Sequence, residues 1–480
     1  MFETVQEISG AVAAAATIEG DRITIGNVQA LAPETIDRLA WTAAFGASPE
    51  VKGTARWVIR SLAAAAGIRP ASIHDLYVAM GQGKAGGFTV PAINVRAMGY
   101  DTARAVIRAA RKLDAGAFIF EIARSEIGYT EQRPHEYAAI LFAAALREGF
   151  AGPLFIQGDH VQTNAKKYNS PERDKELETL RGLIREEIAA GFYNIDIDTS
   201  TLVDLDKPTL AEQQEVNVTL AADFAAFIRS VEPAGVTVSI GGEIGEVGGK
   251  NSDIHELHCY MDGLNAKLKE RGVQVGISKI SVQTGTAHGG FINADGTVRK
   301  DVAIDLVALE ELSTAARTYG MGGAVQHGAS TLPLEAFDAF PRVGACEIHL
   351  ATDFQNMVYD HPEFPAALKA EMYAWLQENA KEERKPKDTE EQFLYKARKK
   401  AIGPFKPQLW GMDAARRAAI GASLEERFTR LMTLLKINGT AAAVKQFVTV
   451  PQVPLKLDSE IKAAAGIITA DERKAEGLAD

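Results

Sequence analysis

Eight short runs rich in β-branched and aromatic residues alternate with longer stretches whose apolar positions recur about every 3.6 residues, and this alternation constrains the chain more than any other feature. The runs lie at 87–93, 116–121, 153–159, 193–198, 236–243, 277–284, 323–327 and 345–350. Between them, 101–113, 136–148, 174–190, 210–230, 260–271 and 302–319 read as amphipathic helices. Strands alternating with helices predict right-handed βαβ units and a parallel sheet. Eight of them match a closed (β/α)8 TIM barrel, an α/β fold that takes roughly 250 residues. An open doubly wound sheet would need a Gly-rich dinucleotide turn after its first strand, and PAINVRAMG supplies none.

The barrel accounts for residues 72–362. Residues 1–71 read as an N-terminal helical extension, with one helix starting after Pro33 and another over Ala55 to Ala66. Residues 363–480 read as C-terminal helices and a tail. There the helices are expected at 363–380 and 413–435, followed by a strand-like FVTVP. Lys and Arg total 52 against 63 Asp and Glu, a net charge of −11 that disfavours nucleic acid and anionic membrane surfaces as partners. Only Cys259 and Cys346 occur, too few for a disulfide framework or a cysteine-rich zinc module. No run approaches the ~18 apolar residues of a spanning helix, and no basic leader precedes the N-terminal alanines. The expected location is cytoplasmic.

Active sites of such barrels form at the C-terminal ends of the strands. Three of nine histidines fall there: His160 in Gly158-Asp159-His160, His288 in Thr286-Ala287-His288-Gly289, and His327 before Gly328. Imidazoles converging with one open position describe a catalytic zinc site. Asp198 and Glu243, also at strand ends, suit a supporting shell or a second metal position. Asp159, beside His160, suits proton transfer to or from a substrate hydroxyl, its side chain starting on the opposite side of the chain. His74, His135, His255, His258 and His361 sit in helices or loops and read as ordinary. GEVGGKNS imitates a phosphate loop, but Ile244 and Asn251 occupy the required Gly and Ser/Thr positions. GMGG at 320–323 precedes a strand and reads as a helix-ending turn.

From about Ser72 to Leu435 these motifs resemble the class II, metal-dependent fructose- and tagatose-bisphosphate aldolase family. VPAINV is similar to its opening strand, GDH to its third-strand Asp-His, and AAGFYNIDIDTS to the segment ending in its metal-pocket aspartate. GEIGEVGG resembles its Glu-x-Gly-x-x-Gly-Gly loop, TGTAHGG its Gly-x-x-His-Gly, and QHGAS its His-Gly-Gly-Ser. EIHLATD resembles its phosphate-binding eighth strand, and GPFKPQLW a late Asp-Pro-Arg-type segment.

The resemblance implies that His160, His288 and His327 hold a divalent metal, Zn2+ first, with Mn2+, Co2+ or Ni2+ as alternatives. Asp198 and Glu243 would belong to an alternative metal pocket. Asp159 would take the proton of the hydroxyl whose C–C bond breaks, while the metal stabilises the resulting enediolate. Asn94 would bind substrate, and Gly289, Gly328, Ser330 and Thr352 would line the pocket for an anionic group.

Several positions depart from the family pattern. Its lysine after His-Gly is Ile292 here, the eighth-strand Asn-x-Asp-Thr-Asp is His349-Leu350-Ala351-Thr352-Asp353, and Ala329 replaces a glycine. The loop acid falls near Asn251, which leaves Asp253 or Glu256 to substitute, and Arg124 is an added cation that could meet substrate. The leading expectation is an aldolase acting on a ketose phosphate or another anionic ketose. A ketose or ketouronate epimerase on the same barrel and a non-catalytic partner subunit are the alternatives. The family also implies a homo-oligomer.

Overall fold

The computed structural model describes residues 1–245, 250–286, 292–293, 295, 297, 304–330 and 332–473. Eleven strands are present among them: β1 (Ala16–Glu19), β2 (Arg22–Ile25), β3 (Arg69–Ala71), β4 (Val90–Asn94), β5 (Ile119–Ala123), β6 (Pro153–Gln162), β7 (Asn194–Asp198), β8 (Ser239–Glu243), β9 (Lys279–Val282), β10 (Ala324–Gln326) and β11 (Glu347–Leu350). Strands β4 to β11 pair in parallel around a ring, which closes where β11 meets β4. These are the eight expected strands, and every residue of β4, β5 and β7 to β11 is buried.

The helices between them start and stop where the local chemistry directs. Thr209 and Glu212 form a capping box on Leu210–Val231. Gly191, at φ 94°, ends Arg173–Ala190 in the left-handed region that an L side chain disfavours.

The interior departs from the branched-aliphatic packing usual in such barrels. Lys279 on β9 is fully buried and donates from Nζ to Gln157 Oε1 at 2.7 Å, to Asp196 Oδ2 at 2.9 Å and to Glu347. Gln157 Nε2 in turn donates to Glu121 Oε2 at 2.8 Å and to Glu347 Oε1 at 3.0 Å. Tyr77, from the helix His74–Gly81, donates its hydroxyl to Glu347. Burial would strip Lys279 of its proton, but Asp196 and Glu347 outweigh it and hold the ammonium charged. For Asp196 burial wins, and its carboxyl is pushed up to about 6.

Outside the barrel the N-terminal segment is only partly as expected. Helices Pro33–Phe45 and Pro49–Ala65 are present, but β1 and β2 form an antiparallel hairpin. Short β3 pairs with the start of β6, from Arg69↔Pro153 to Ala71↔Phe155, before β7 begins to pair at Gln157. FVTVP forms no strand: Phe447 ends the helix Ala441–Phe447 and the chain then runs irregularly. Pro451 and Pro454 lack the N–H groups that a ladder there would use.

The helix Leu457–Ala464 crosses Pro49–Ala65 at Gly53, where a Cβ would meet the Ile461 Cα at 2.5 Å. Beside that crossing, Glu460 pairs with Arg60 and lies 2.9 Å from His135 Nδ1. Burial pushes the Glu460 carboxyl up, but Arg60 and then His135 pull it down to about 2. The helix Ala414–Leu434 packs on Gly99–Lys112, with Arg108 paired to Glu425. Among the described residues no helix is long and apolar enough to cross a membrane.

Two stability outcomes follow. Lys279→Met is expected to cost about 3–5 kcal/mol in urea unfolding, because it leaves two buried carboxylates without their cation. Glu460→Gln is expected to destabilise at pH 7. The native carboxyl titrates near 2 and the unfolded one near about 4.3. Its contribution is therefore complete above the unfolded value and is lost as pH falls through the folded one. The stability gap between wild type and variant should accordingly begin to narrow below about pH 4 and close only near about pH 2.

Candidate metal centre and active site

Simple strand alternation would put Asp159 and His160 on opposite faces of β6. The pairing of β6 with β7 shifts register between Gly158 and Val161, and His160 has φ 38°. This bulge turns both side chains into the barrel mouth, where Asp159 and His160 are 0% and 1% exposed. A left-handed histidine costs on the order of 1–2 kcal/mol, which the packed surroundings hold in place.

Three groups converge beside it. His160 Nε2 lies 3.1 Å from His327 Nδ1, and His160 Nδ1 lies 2.9 Å from Asp198 Oδ2 and 3.3 Å from Glu243 Oε2. His160, His327 and Glu243 each offer a ligand atom within 4.8 Å of the others. Asp198 is fixed by Ser200, whose N–H and hydroxyl donate to Oδ1 at 3.1 and 2.7 Å, and by Gln162 Nε2 at 2.6 Å. His327 is oriented by Ser281 Oγ, 2.9 Å from its Nε2.

The electrostatics show what such a cluster is built to hold. Burial disfavours a charged His160, yet Asp159 and Glu243 raise its pKa well above the imidazole range. Burial and the neighbouring Asp198 push the Glu243 carboxyl up to about 8. Glu243 Oε1 is buried with no hydrogen-bond partner among the described residues. The pocket therefore draws positive charge and leaves an acceptor oxygen unsatisfied. Two imidazoles and a carboxylate suit zinc or a similar divalent ion, and such an ion would displace the proton that the pocket otherwise attracts.

Next to this cluster, Asp159 is held at both oxygens. His349 Nδ1 lies 3.1 Å from Oδ1, and Asn94 Nδ2 donates to Oδ2 at 3.3 Å. His349 Nε2 is 2.6 Å from Glu347 Oε1, which ties Asp159 to the Lys279 ion cluster. Burial raises the Asp159 pKa, but His160, His349 and His327 outweigh it and keep the carboxyl ionised well below its usual range. Asn94 also donates to Glu126 Oε2 at 2.6 Å, and its Oδ1 is buried without a partner among the described residues.

The remaining expected positions divide. Gly328, at φ 66°, Ser330 and Thr352 gather at the ends of β10 and β11. Ser330 Oγ accepts from Ala351 N at 2.7 Å, and Thr352 Oγ1 accepts from Arg96 Nη1 at 3.3 Å. Arg124 is already neutralised by Glu176, at 2.5 and 3.1 Å, and donates to the Gln162 carbonyl at 2.7 Å. Asp253 caps the helix Ile254–Glu270, accepting from the N–H groups of His255 and Glu256 at 2.9 and 3.0 Å, with Lys250 as its ion-pair partner. Neither Arg124 nor Asp253 is brought to the histidine cluster. His288 and Gly289 lie outside the described residues.

Sequence reasoning overlooked three residues of the mouth: His349, Arg96 and Glu126. The signal for His349 was its spacing, since Glu347 and His349 stand two apart on one strand and must share the inward face.

The sequence profile of fructose-bisphosphate aldolase class-II matches residues 76–403. Among solved structures, the chain is similar to a probable tagatose 6 phosphate kinase from Sinorhizobium meliloti 1021, at 19% identity and a TM-score of 0.50, covering 78% of this chain and 97% of that one. It is also similar to the fructuronate-tagaturonate epimerase UxaE from Cohnella laeviribosi, at 13% identity and a TM-score of 0.50, covering 92% of this chain and 90% of that one.

Replacing His160 or His327 by alanine is expected to abolish retention of a divalent metal through dialysis, read by elemental mass spectrometry. Asp198→Asn should weaken metal affinity by roughly 10–100-fold through loss of ligand orientation. Glu176→Gln, which disturbs the Arg124 pair and the hydrogen bond from Asn164 N but no member of the histidine cluster, should leave metal content unchanged.

Proposed function

The chain belongs to the class-II fructose-bisphosphate aldolase family, and on that premise we propose that it reversibly cleaves a carbon–carbon bond of an anionic ketose. The observation that carries this reading is the placement of Asp159, buried, held by His349 and Asn94, and 3.9 Å from His160 Nε2. In this reading His160, His327 and Glu243, together with His288, hold a divalent cation, with Asp198 orienting His160. When bound, the cation supplies Lewis-acid stabilisation of the negative charge that develops on the ketone fragment.

The chain's own residues do the rest. Asp159 accepts the proton of the hydroxyl on the carbon that becomes the aldehyde. The C–C bonding pair passes to the ketone fragment, and the O–H pair forms the aldehyde carbonyl. On addition, the same carboxyl returns the proton. His349 fixes one oxygen of Asp159 and leaves its orientation little freedom. Asn94 Oδ1, buried and unsatisfied, is placed to accept from a sugar hydroxyl. Gly328, Ser330 and Thr352 line one side of the mouth.

The epimerase reading is favoured by one observation. The likeness to fructuronate-tagaturonate epimerase spans 92% of this chain, well beyond the residues that the family profile matches. Retro-aldol cleavage, rotation of a retained aldehyde and re-addition would invert one carbon with the same groups.

Metal-loaded protein incubated with fructose and tagatose, their phosphates and tagaturonate should give either triose products or a six-carbon epimer, both resolved by NMR. Conversion that survives full chelation would sink the proposal in either form. Asp159→Asn is expected to lower turnover by about 10²–10⁴, with metal content preserved.

A further inference from the structure

The C-terminal segment lays a roof over part of the barrel mouth. The helix Glu390–Ala397 and the 3-10 turn Arg398–Ala401 touch residues that follow three strands. Gln392 Nε2 donates to the Ile292 carbonyl at 3.2 Å, Arg398 Nη1 donates to both Asp360 oxygens at 3.2 Å, and the ammonium groups of Lys399 and Lys400 lie 5.6 and 5.8 Å from the Tyr129 ring centre.

Cations there outnumber anions. Arg96 is buried, pairs with Glu126 and donates to Thr352 Oγ1. Lys400 pairs with Glu383 at 3.2 Å. Lys399, partly buried beside Arg96, has no ion pair or hydrogen bond with a described residue. Among the described residues Glu126 and Glu383 are thus engaged by Arg96 and Lys400, and the Lys399 charge has no ion-pair partner. Burial, and then the like charge of Arg96, lower the Lys399 pKa to about 8 against the opposing pull of Glu383 and Glu126.

The position of this charge relates directly to the catalytic groups. Arg96 stands two residues beyond Asn94, and both donate to the carboxylate of Glu126. Thr352, to which Arg96 also donates, begins the helix that follows β11.

We infer that Lys399, together with Arg96, binds the anionic terminus of the substrate, a carboxylate or a phosphate, and so contributes a specificity determinant from the C-terminal segment. The inference rests on the ketose reading for the identity of the substrate, but not for the existence of the anion site. An ammonium and a guanidinium are strong partners for either anion.

Trace acetylation with acetic anhydride, read by peptide mass spectrometry, tests the site without turnover. Millimolar inorganic phosphate or tagaturonate should reduce labelling of Lys399 at least fivefold while exposed Lys445 is unchanged. Which of the two protects distinguishes a phosphate from a carboxylate. Equal labelling of Lys399 with and without both anions would overturn the inference.

Kinetics supply the second arm. On whichever anionic ketose the native protein converts, Lys399→Met should raise KM roughly tenfold to a hundredfold with kcat within about twofold, and Lys399→Arg should recover most of it. An unchanged KM in a folded Lys399→Met protein also overturns it. Protection of Lys399 in a protein that converts no ketose would refute the ketose reading and leave the anion site standing.

Discussion

A single buried ammonium organises this barrel. Lys279 sits where such interiors usually carry branched aliphatic side chains, and it draws in Asp196 and Glu347 from strands two places away on either side, β7 and β11. Without the lysine, two carboxylates would face each other in a medium of low dielectric. Without the carboxylates, the lysine would lose its charge. The cluster is permissible only as a whole, so the strands carrying it are held in register by charge as well as by backbone pairing. Its upper edge is also the floor of the candidate site, because Glu347 accepts from His349, and His349 holds Asp159.

The candidate site follows from that floor. The bulge in β6 brings neighbouring residues to the same side of the sheet: His160 joins the histidine–carboxylate cluster, and Asp159 stands beside it as a buried carboxylate. Ring contacts link His160 to His327 and His327 to His349, at 4.5 and 4.1 Å between centroids. Three imidazoles packed among six carboxylates make a pocket whose potential favours cations at its centre. The positive residues Arg96 and Lys399 stand at its rim. In the proposed reading, a ketose with an anionic end would bring its oxygens to the carboxylate-rich centre and its charge to the rim.

The segments outside the barrel serve the same arrangement. The helix Leu457–Ala464 binds the N-terminal helices through Glu460 and the close crossing at Gly53. The helix Ala414–Leu434 closes against the barrel wall. The stretch between Glu390 and Ala401 reaches back over the strand ends, which turns a sequence with little motif content into part of the mouth.

Much of this was legible in one dimension. The 2.0 and 3.6 periodicities and the glycines between them predict eight strands and their helices, because these signals act over a few residues. The strand-end histidines, Asp159, Asp198 and Glu243 followed from the barrel rule. What the sequence could not disclose depends on groups far apart in the chain: Lys279 meets its carboxylates across 83 and 68 residues, and Arg96 meets Thr352 across 256. Arg124 and Asp253 carry the right charges for the mouth, but Glu176 and a helix N-terminus take them elsewhere. The sequence by itself determined the barrel and the chemical types at its mouth, since local pattern and residue identity suffice for both. Only the tertiary structure decided which of those groups meet, because pairing a buried charge requires its partner within a few ångströms in space, whatever their distance along the chain.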